Sequence, residues 1–456
     1  MFSKYKSIHE AMLLVYEELE KIIKKNKITE ISRSKEIEII WNSLCLSFSS
    51  YARDINVFLE NLDKTYDSVM PKYDFLVAFL WFYDKERLFA PLNDKFKYKN
   101  LAFSGTYSKS TIEEGIRIRD YFILPIIHSE IKGKLINNYE KIVSKTVHEK
   151  NIINRFLLNY SIVKNKDNLI SLKTIEMHKF VERIKSNGLK VALNPIAYKN
   201  FEYYFTMITH VNPCPSFSVK VVEDHEKELI NVFSDSLNKS VAKGVDLIIF
   251  PEMHLTTKLL EQIPSMIKYL KIERQSLIMV GTLSNETSNM AYLFDNYGNL
   301  VLKQKKYGQF LLRDPNNINI SYVEGREWND AEDVLLALLD IVDFGRMSIF
   351  ICKDIYEPKK KDALINCSVD FLLMPSYSES NSISDCLNDL AKSRVISFFV
   401  NSFNAFLKKK ENIEKILGKV VLPYWDEWHK QKFVEHVLNP KITRIERGSL
   451  TIDLIL

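Results

Sequence analysis

Glycine and proline are spread unevenly along this chain, and that asymmetry limits what each half can build. Residues 1–187 contain three Gly and three Pro, whereas residues 188–456 contain nine Gly and ten Pro. Both interrupt regular secondary structure, Pro by removing a backbone donor and Gly by its conformational freedom. The first half therefore suits long uninterrupted elements, and the second suits many short ones separated by turns.

The first half carries helical periodicity. Ile8, Met12, Val15, Leu19 and Ile22 recur every three or four residues, and Ile40, Leu44, Tyr51, Ile55, Phe58 and Leu62 fit the same spacing, which gives each segment one apolar face. Ser110-Thr-Ile-Glu113 has the capping-box pattern that opens a helix. From Ile152 to Arg183 helical faces are again expected, ending at Asn187-Gly188. Residues 1–187 are accordingly read as an all-α N-terminal domain, its role unassigned.

After Gly188 the texture changes to short apolar runs bounded by Gly, Pro or Asn: Lys190 to Leu193, Val245 to Phe250, Leu277 to Gly281, Met347 to Ile351, Val369 to Met374 and Ile396 to Val400. Continuous apolar runs of this length read as strands buried on both faces. Helical segments such as Glu226 to Lys243 and Ile383 to Arg394 lie between them. That alternation makes residues 188–456 an α/β domain.

Composition narrows the function classes. Lys plus Arg number 63 against 58 Asp plus Glu, with both signs interspersed, so the charge reads as surface solvation and nucleic acid is not indicated. The apolar run Phe75 to Tyr83 is far shorter than the roughly 20 residues a membrane helix needs, and Glu10, Glu17, Glu18 and Glu20 interrupt any signal-peptide core. Five widely spaced cysteines without a C-x-x-C pair predict reduced thiols, no structural zinc and a cytoplasmic location. No H-E-x-x-H, P-loop or G-x-G-x-x-G pattern occurs. Neither a metal nor another cofactor is expected.

Two reactive side chains stand where apolar runs end. Glu252 follows VDLIIFP and Cys352 follows MSIFI, the positions from which open α/β sheets present functional groups. Each has a plainer reading: the glutamate as a helix-initiating acid, the cysteine as a small buried hydrophobe.

Read together, these segments resemble the nitrilase, or carbon-nitrogen hydrolase, superfamily. The resemblance runs in the family's order over about residues 188–406. It begins with Val191-Ala192, Gly244-Val-Asp-Leu-Ile-Ile-Phe-Pro-Glu252 and Met279-Val-Gly-Thr282. It continues through Asn289-Met-Ala-Tyr-Leu-Phe-Asp295, Gly298-Asn-Leu-Val-Leu-Lys-Gln-Lys-Lys306 and Gly345 to Asp354 with Pro358. Asp370-Phe-Leu-Leu-Met-Pro-Ser376 and Ala391-Lys-Ser-Arg394 before Val400-Asn401 complete it. It implies a four-layer αββα sandwich and a Glu252–Lys306–Cys352 triad.

In the chemistry so implied, Cys352 attacks an amide or nitrile carbon. Lys306 and Glu252 are expected to supply its thiolate at neutral pH. The Lys306 ammonium and the backbone N–H after the nucleophile stabilise the developing anion, a kind of contact worth roughly 2.7–4 kcal/mol each. Glu252 shuttles the proton and later activates water. Lys303 and Lys305 alternate onto the face opposite Lys306. The family often adds a second acid after the lysine, for which Asp314 and Glu324 both stand as candidates, each also readable as a solvated loop carboxylate.

Three further residues are candidates for contact with substrate: Lys353, His254 and Asp314. Lys353 stands where the family more often has an aromatic or small residue, and the solvent-facing reading is the plainer one. The sequence departs from the family after Asn401, where Asn404 to Ile416 replaces the usual Gly-Ser strand, and Tyr424, Trp425 and Trp428 follow. The expectation is a thiol hydrolase of a small-molecule amide, carbamoyl or nitrile group, amide favoured, in a homo-oligomer. The alternative is a non-catalytic nitrilase-like sensor, as in bacterial defence proteins, whose helical domain binds a protein partner.

Overall fold

A computed structural model describes residues 2, 8–28, 31, 34–51, 55–85, 116–118, 121–125, 131, 160–164, 170–210, 215–270, 272, 274–285, 288–313, 321–324, 334–378, 381–406, 416–426, 430–438 and 450–454. They fall into two compact units, one drawn from residues 1–126, 149–167 and 366–368, the other from 127–148, 168–365 and 369–456.

The first unit opens with four helices: α1 (Ile8–Asn26), α2 (Lys35–Tyr51), α3 (Ile55–Ser68) and α4 (Lys72–Lys85). Helix α1 buries Ile8, Met12, Val15 and Leu19 as its spacing predicts. Phe75 to Tyr83 of α4 are buried on every side, because the helices and aromatic partners such as Phe2, Phe48 and Phe58 surround it. Three antiparallel strands follow: β1 (Ile116–Ile118), β2 (Tyr121–Pro125) and β3 (Tyr160–Lys164), with Ile123 opposite Ile162. The all-α expectation for residues 1–187 thus needs correction from Ile116 onward. The capping box at 110–113 lies outside the described residues.

A second correction concerns the boundary. Strand β4 (Ile170–Ile175) and the helix His178–Asn187 belong to the second unit. β4 pairs in parallel with a strand of its seven-stranded sheet. The helix buries Phe180, Val181 and Ile184, and Arg183 reaches the fully buried Asp246, its Nε donating at 2.9 Å. Lys190 N and Arg274 Nη2 also bond that carboxylate, at 2.8 and 3.1 Å. The charge is held by three residues drawn from both sides of residue 188.

The remaining strands are β5 (Leu189–Leu193), β6 (Phe205–His210), β7 (Ser216–Val221), β8 (Leu247–Ile249), β9 (Leu277–Ser284), β10 (Asn289–Asp295), β11 (Leu300–Lys305), β12 (Leu311–Arg313) and β13 (Ser321–Glu324). After them come β14 (Leu336–Ile341), β15 (Gly345–Ile349), β16 (Phe371–Ser376), β17 (Ile396–Asn401), β18 (Gly418–Asp426), β19 (Lys430–Leu438) and β20 (Leu450–Leu454). They form a six-stranded sheet ordered β11-β10-β9-β8-β5-β20, a seven-stranded sheet ordered β19-β18-β17-β16-β15-β14-β4, and a four-stranded sheet ordered β12-β13-β7-β6.

The apolar runs form strands because both of their faces are covered. In the six-stranded sheet, Ile248, Phe250, Ile278 and Val280 pack against Leu229, Phe233 and Leu237 of the helix Glu223–Ala242 and against Leu259, Ile263 and Ile267 of the helix Thr257–Tyr269. Burying each such side chain is worth about 1.5–3 kcal/mol. The alternate residues Leu247, Ile249, Leu277 and Met279 are equally buried on the other face. Gln304 of β11 bonds Val334 O, Leu335 O and Ala337 N beside and within β14 of the seven-stranded sheet. The helix Ser382–Ala391 packs against β17 and β18.

Parallel pairing makes the site. β5, β8 and β9 run parallel in one sheet, and β15, β16 and β17 in the other. The chain leaves β8 toward Glu252, β15 toward Cys352 and β16 toward Tyr377. Each lies beyond the C-terminal end of a parallel strand.

Candidate active site

Glu252 is fully buried beyond β8. Its backbone passes so close to β9 that a Cβ on Gly281 would lie 2.3 Å from Pro251 O, and Gly281 has φ +93°. Only glycine meets both conditions. Thr282 Oγ1 then accepts from Met253 N at 2.9 Å, fixing the turn that carries the glutamate.

Lys306 and Asn289 face each other at the open end of the hairpin formed by β10 and β11. The pairing of Met290 with Lys305 sets the register, and Lys306 N donates to Asn289 O at 2.8 Å. Their side chains consequently project to the same face. Lys306 Nζ donates to Glu252 Oε1 at 2.7 Å and to Glu324 Oε2 at 2.6 Å. Asn289 Nδ2 donates to the other oxygen of Glu324 and to the same oxygen of Glu252, each at 2.8 Å. Glu324 ends β13 and is held by parallel pairing with Phe217 of β7 and by its own N–H to Phe310 O at 2.9 Å.

Cys352 follows β15 and opens the 3-10 helix Cys352–Tyr356 in a left-handed conformation, φ +48°. For a non-glycine residue that costs about 1–3 kcal/mol and recurs at catalytic turns. Tyr377 ties Cys352 to Glu252: its N–H donates to Glu252 Oε2 at 2.8 Å, and its carbonyl accepts from Cys352 Sγ at 3.5 Å.

Electrostatics follow from burial. Desolvation raises the Glu252 carboxyl above its ordinary range; Lys306 pulls it down and Glu324 pushes it up, with a net rise. Desolvation alone would lower Lys306, but Glu252, Glu324 and Cys352 outweigh it and hold the ammonium well above its usual value. Desolvation and then the negative charge of Glu252 push the Cys352 thiol well above its usual value, against the opposing pull of Lys306. Burial and the Glu252 charge thus favour the neutral thiol of Cys352. Of the two groups expected to supply a thiolate at neutral pH, Lys306 acts in that direction and the charge of Glu252 acts against it.

His254 is buried, with Nδ1 on Glu252 O and Nε2 3.0 Å from Ser402 Oγ. Burial lowers its pKa to about 3, so the imidazole is neutral and both its nitrogens are engaged within the protein. Lys353 places its ammonium 4.4 Å from the centre of the Phe310 ring. Asp314 and Trp428 lie outside the described residues, as do the side chains of Tyr424 and Trp425.

Sequence reasoning brought forward Glu252, Lys306 and Cys352, and the structure gathers them. It missed the roles of Asn289 and Tyr377. Counting back through the hairpin from Lys306 would have found Asn289, whereas the Tyr377 contacts are made by its backbone and leave no side-chain signal. Among the described residues no group of three or more His, Cys, Asp or Glu is placed to hold a metal ion. No described helix is long and apolar enough to cross a membrane.

No family model matches the chain, and no curated protein matches it. Solved structures do show partial likeness. An amidase from Nesterenkonia sp. is 13% identical, over 59% of this chain and 91% of that one, with a TM-score of 0.34. Saccharomyces cerevisiae Nit3, described as a member of branch 10 of the nitrilase superfamily, is 13% identical over 56% and 91%, with a TM-score of 0.33. The C. elegans NitFhit protein is 13% identical over 46% and 57%, with a TM-score of 0.34.

Proposed function

We propose that residues from about 168 onward form a nitrilase-like αββα domain and that the chain is a thiol hydrolase of a non-peptide carbon-nitrogen bond, an amide rather than a nitrile. The observation that carries this reading is the buried constellation in which Lys306 bridges Glu252 and Glu324 while one residue, Tyr377, bonds both Glu252 and Cys352.

In this reading Cys352 passes its thiol proton to Glu252 as sulfur attacks the substrate carbonyl carbon. A carboxyl with raised affinity for protons is a stronger base for a thiol than an ordinary carboxylate. The tetrahedral oxyanion is met by the Lys306 ammonium and the backbone N–H of Lys353. The C–N bond breaks as Glu252 delivers the proton to the leaving nitrogen. A thioester on Cys352 remains. Glu252 then takes a proton from water, hydroxide adds to the thioester, and the acid departs as the sulfur regains its proton. Glu324 and Asn289 hold Lys306 and Glu252 in place throughout, and His254 fixes the backbone of Glu252 rather than touching substrate.

The test is to incubate the protein with small aliphatic and aromatic primary amides, following ammonia release and the mass of the intact chain. A thioester on Cys352 and ammonia release, both absent in Cys352→Ala, are expected. Ammonia release that persists in Cys352→Ala would rule the reading out.

A further inference from the structure

Asp354 lies two residues after the nucleophile and is fully buried. Its Oδ1 accepts from Tyr307 N at 2.8 Å and Gly308 N at 2.7 Å, the two amides that follow Lys306. Its Oδ2 accepts from Ile351 N at 2.8 Å, the amide before Cys352, and from Lys360 Nζ at 2.5 Å. One carboxylate thus clasps the two segments whose side chains must meet for chemistry. Lys360 is itself fully buried and supplies the counter-charge, without which a carboxylate at this depth is costly. The clasp is tight: a Cβ on Gly308 would lie 2.8 Å from the carbonyl of Lys353 and 2.9 Å from Asp354 N.

We infer that Asp354 and Lys360 are positioning residues that set the separation of the Lys306 ammonium from the Cys352 thiol. The inference rests on the triad reading above. The two residues touch neither substrate nor reacting atoms in that mechanism; they act through the backbone on either side of the lysine and the cysteine. Loss of either charge opens the clasp. The bond energies involved are those of ordinary charge-assisted hydrogen bonds, but a displacement of about 1 Å between reacting groups lowers a rate on the order of 10²-fold.

A field effect would look different. Removing the negative Asp354 makes thiolate formation easier and removing the positive Lys360 makes it harder, so pure electrostatics moves the two variants in opposite directions. The groups acting electrostatically on Cys352, namely Glu252, Lys306 and Glu324, keep their charges in both. Positioning moves both variants the same way. It also predicts that Gly308→Ala, which alters no charge, behaves like them.

The experiment acylates the full-length protein with p-nitrophenyl acetate across pH 6–9, reads the burst of nitrophenolate per folded molecule, and maps the acetyl group by mass spectrometry. Asp354→Asn, Lys360→Met and Gly308→Ala are each expected to slow acylation of Cys352 on the order of 10²-fold. Lys360→Arg is expected to restore it to within a few-fold. Opposite shifts in Asp354→Asn and Lys360→Met, or unchanged rates in all three beside a slowed Lys306→Ala, would overturn the positioning role alone. A wild-type protein that is not acetylated at Cys352, or a Lys306→Ala variant as fast as wild type, would instead remove the triad reading and the positioning role with it.

Discussion

Lys306 and Asn289 face each other across one hairpin and donate to the same two carboxylates, Glu252 and Glu324. The cation and the amide have different tasks. Lys306 balances charge, whereas Asn289 fixes the angle between the carboxylates without adding any.

Lys306→Ala should therefore do more harm than Asn289→Ala. Leaving buried carboxylates without their cation costs about 3–5 kcal/mol, and losing a neutral donor to buried charged acceptors about 1–3 kcal/mol. The Glu252 carboxyl already has a raised pKa in the folded chain, so its ionisation opposes folding above the unfolded value near 4.5, and stability is lost as pH rises through the folded value. Without Lys306 that loss grows. Urea melts at pH 5 and pH 7 should show the Lys306→Ala deficit shrinking at the lower pH; an equal deficit at both would contradict it.

The neutral thiol has a kinetic consequence. Iodoacetamide at pH 7 should label Cys352 more slowly than a free thiol, with a rate that keeps climbing past the pH at which ordinary cysteines level off. Peptide mapping after timed quenching reads this directly. Preferential labelling of Cys352 at pH 7 would show that the thiol is not raised.

His254 contributes to acid sensitivity. Its folded pKa, about 3, lies below the unfolded value of 6.5, so the stability it gives is complete above pH 6.5 and is lost as pH falls toward 3, with a slope of about 1.4 kcal/mol per pH unit. His9, lowered to about 4 by burial, adds a similar slope in its own unit. His254→Gln should flatten the acid limb of the stability profile. An unchanged limb would mean that His254 ionises in the folded state.

Arg183→Ala tests where the α/β unit begins. Although Arg183 precedes residue 188, it bonds the fully buried Asp246, and removing it should destabilise that unit by about 3 kcal/mol, near the lower end for a broken buried pair because Arg274 remains. The check is proteolysis of the second unit in urea. Cleavage at the wild-type denaturant concentration would return the boundary to residue 188.

What the sequence disclosed and what it concealed divide along physical lines. Glu252, Cys352 and Lys306 were legible because apolar runs that end sharply, and a Gly turn that sets a hairpin register, are local signals. The contact of Glu324 with Lys306 was not legible in the sequence, because Glu324 reaches the site through parallel pairing of β13 with β7, separated by more than a hundred residues. The segment Ile170–Ile175 was taken for helix although its burial alternates along the strand, a period-two signal masked by the helical pattern beside it. The resting protonation of Cys352 depends on burial, which no local pattern carries.

Tyr377 makes the end of β16 a shared support for two side chains. Because a single residue bonds Glu252 through its N–H and Cys352 through its carbonyl, a shift at the end of β16 bears on both side chains at once. Lys306 follows a separate hairpin and enters that linkage through its own bond to Glu252 Oε1 at 2.7 Å. Displacement of either the β10–β11 hairpin or the end of β16 therefore reaches the same carboxylate, Glu252, which both of them bond.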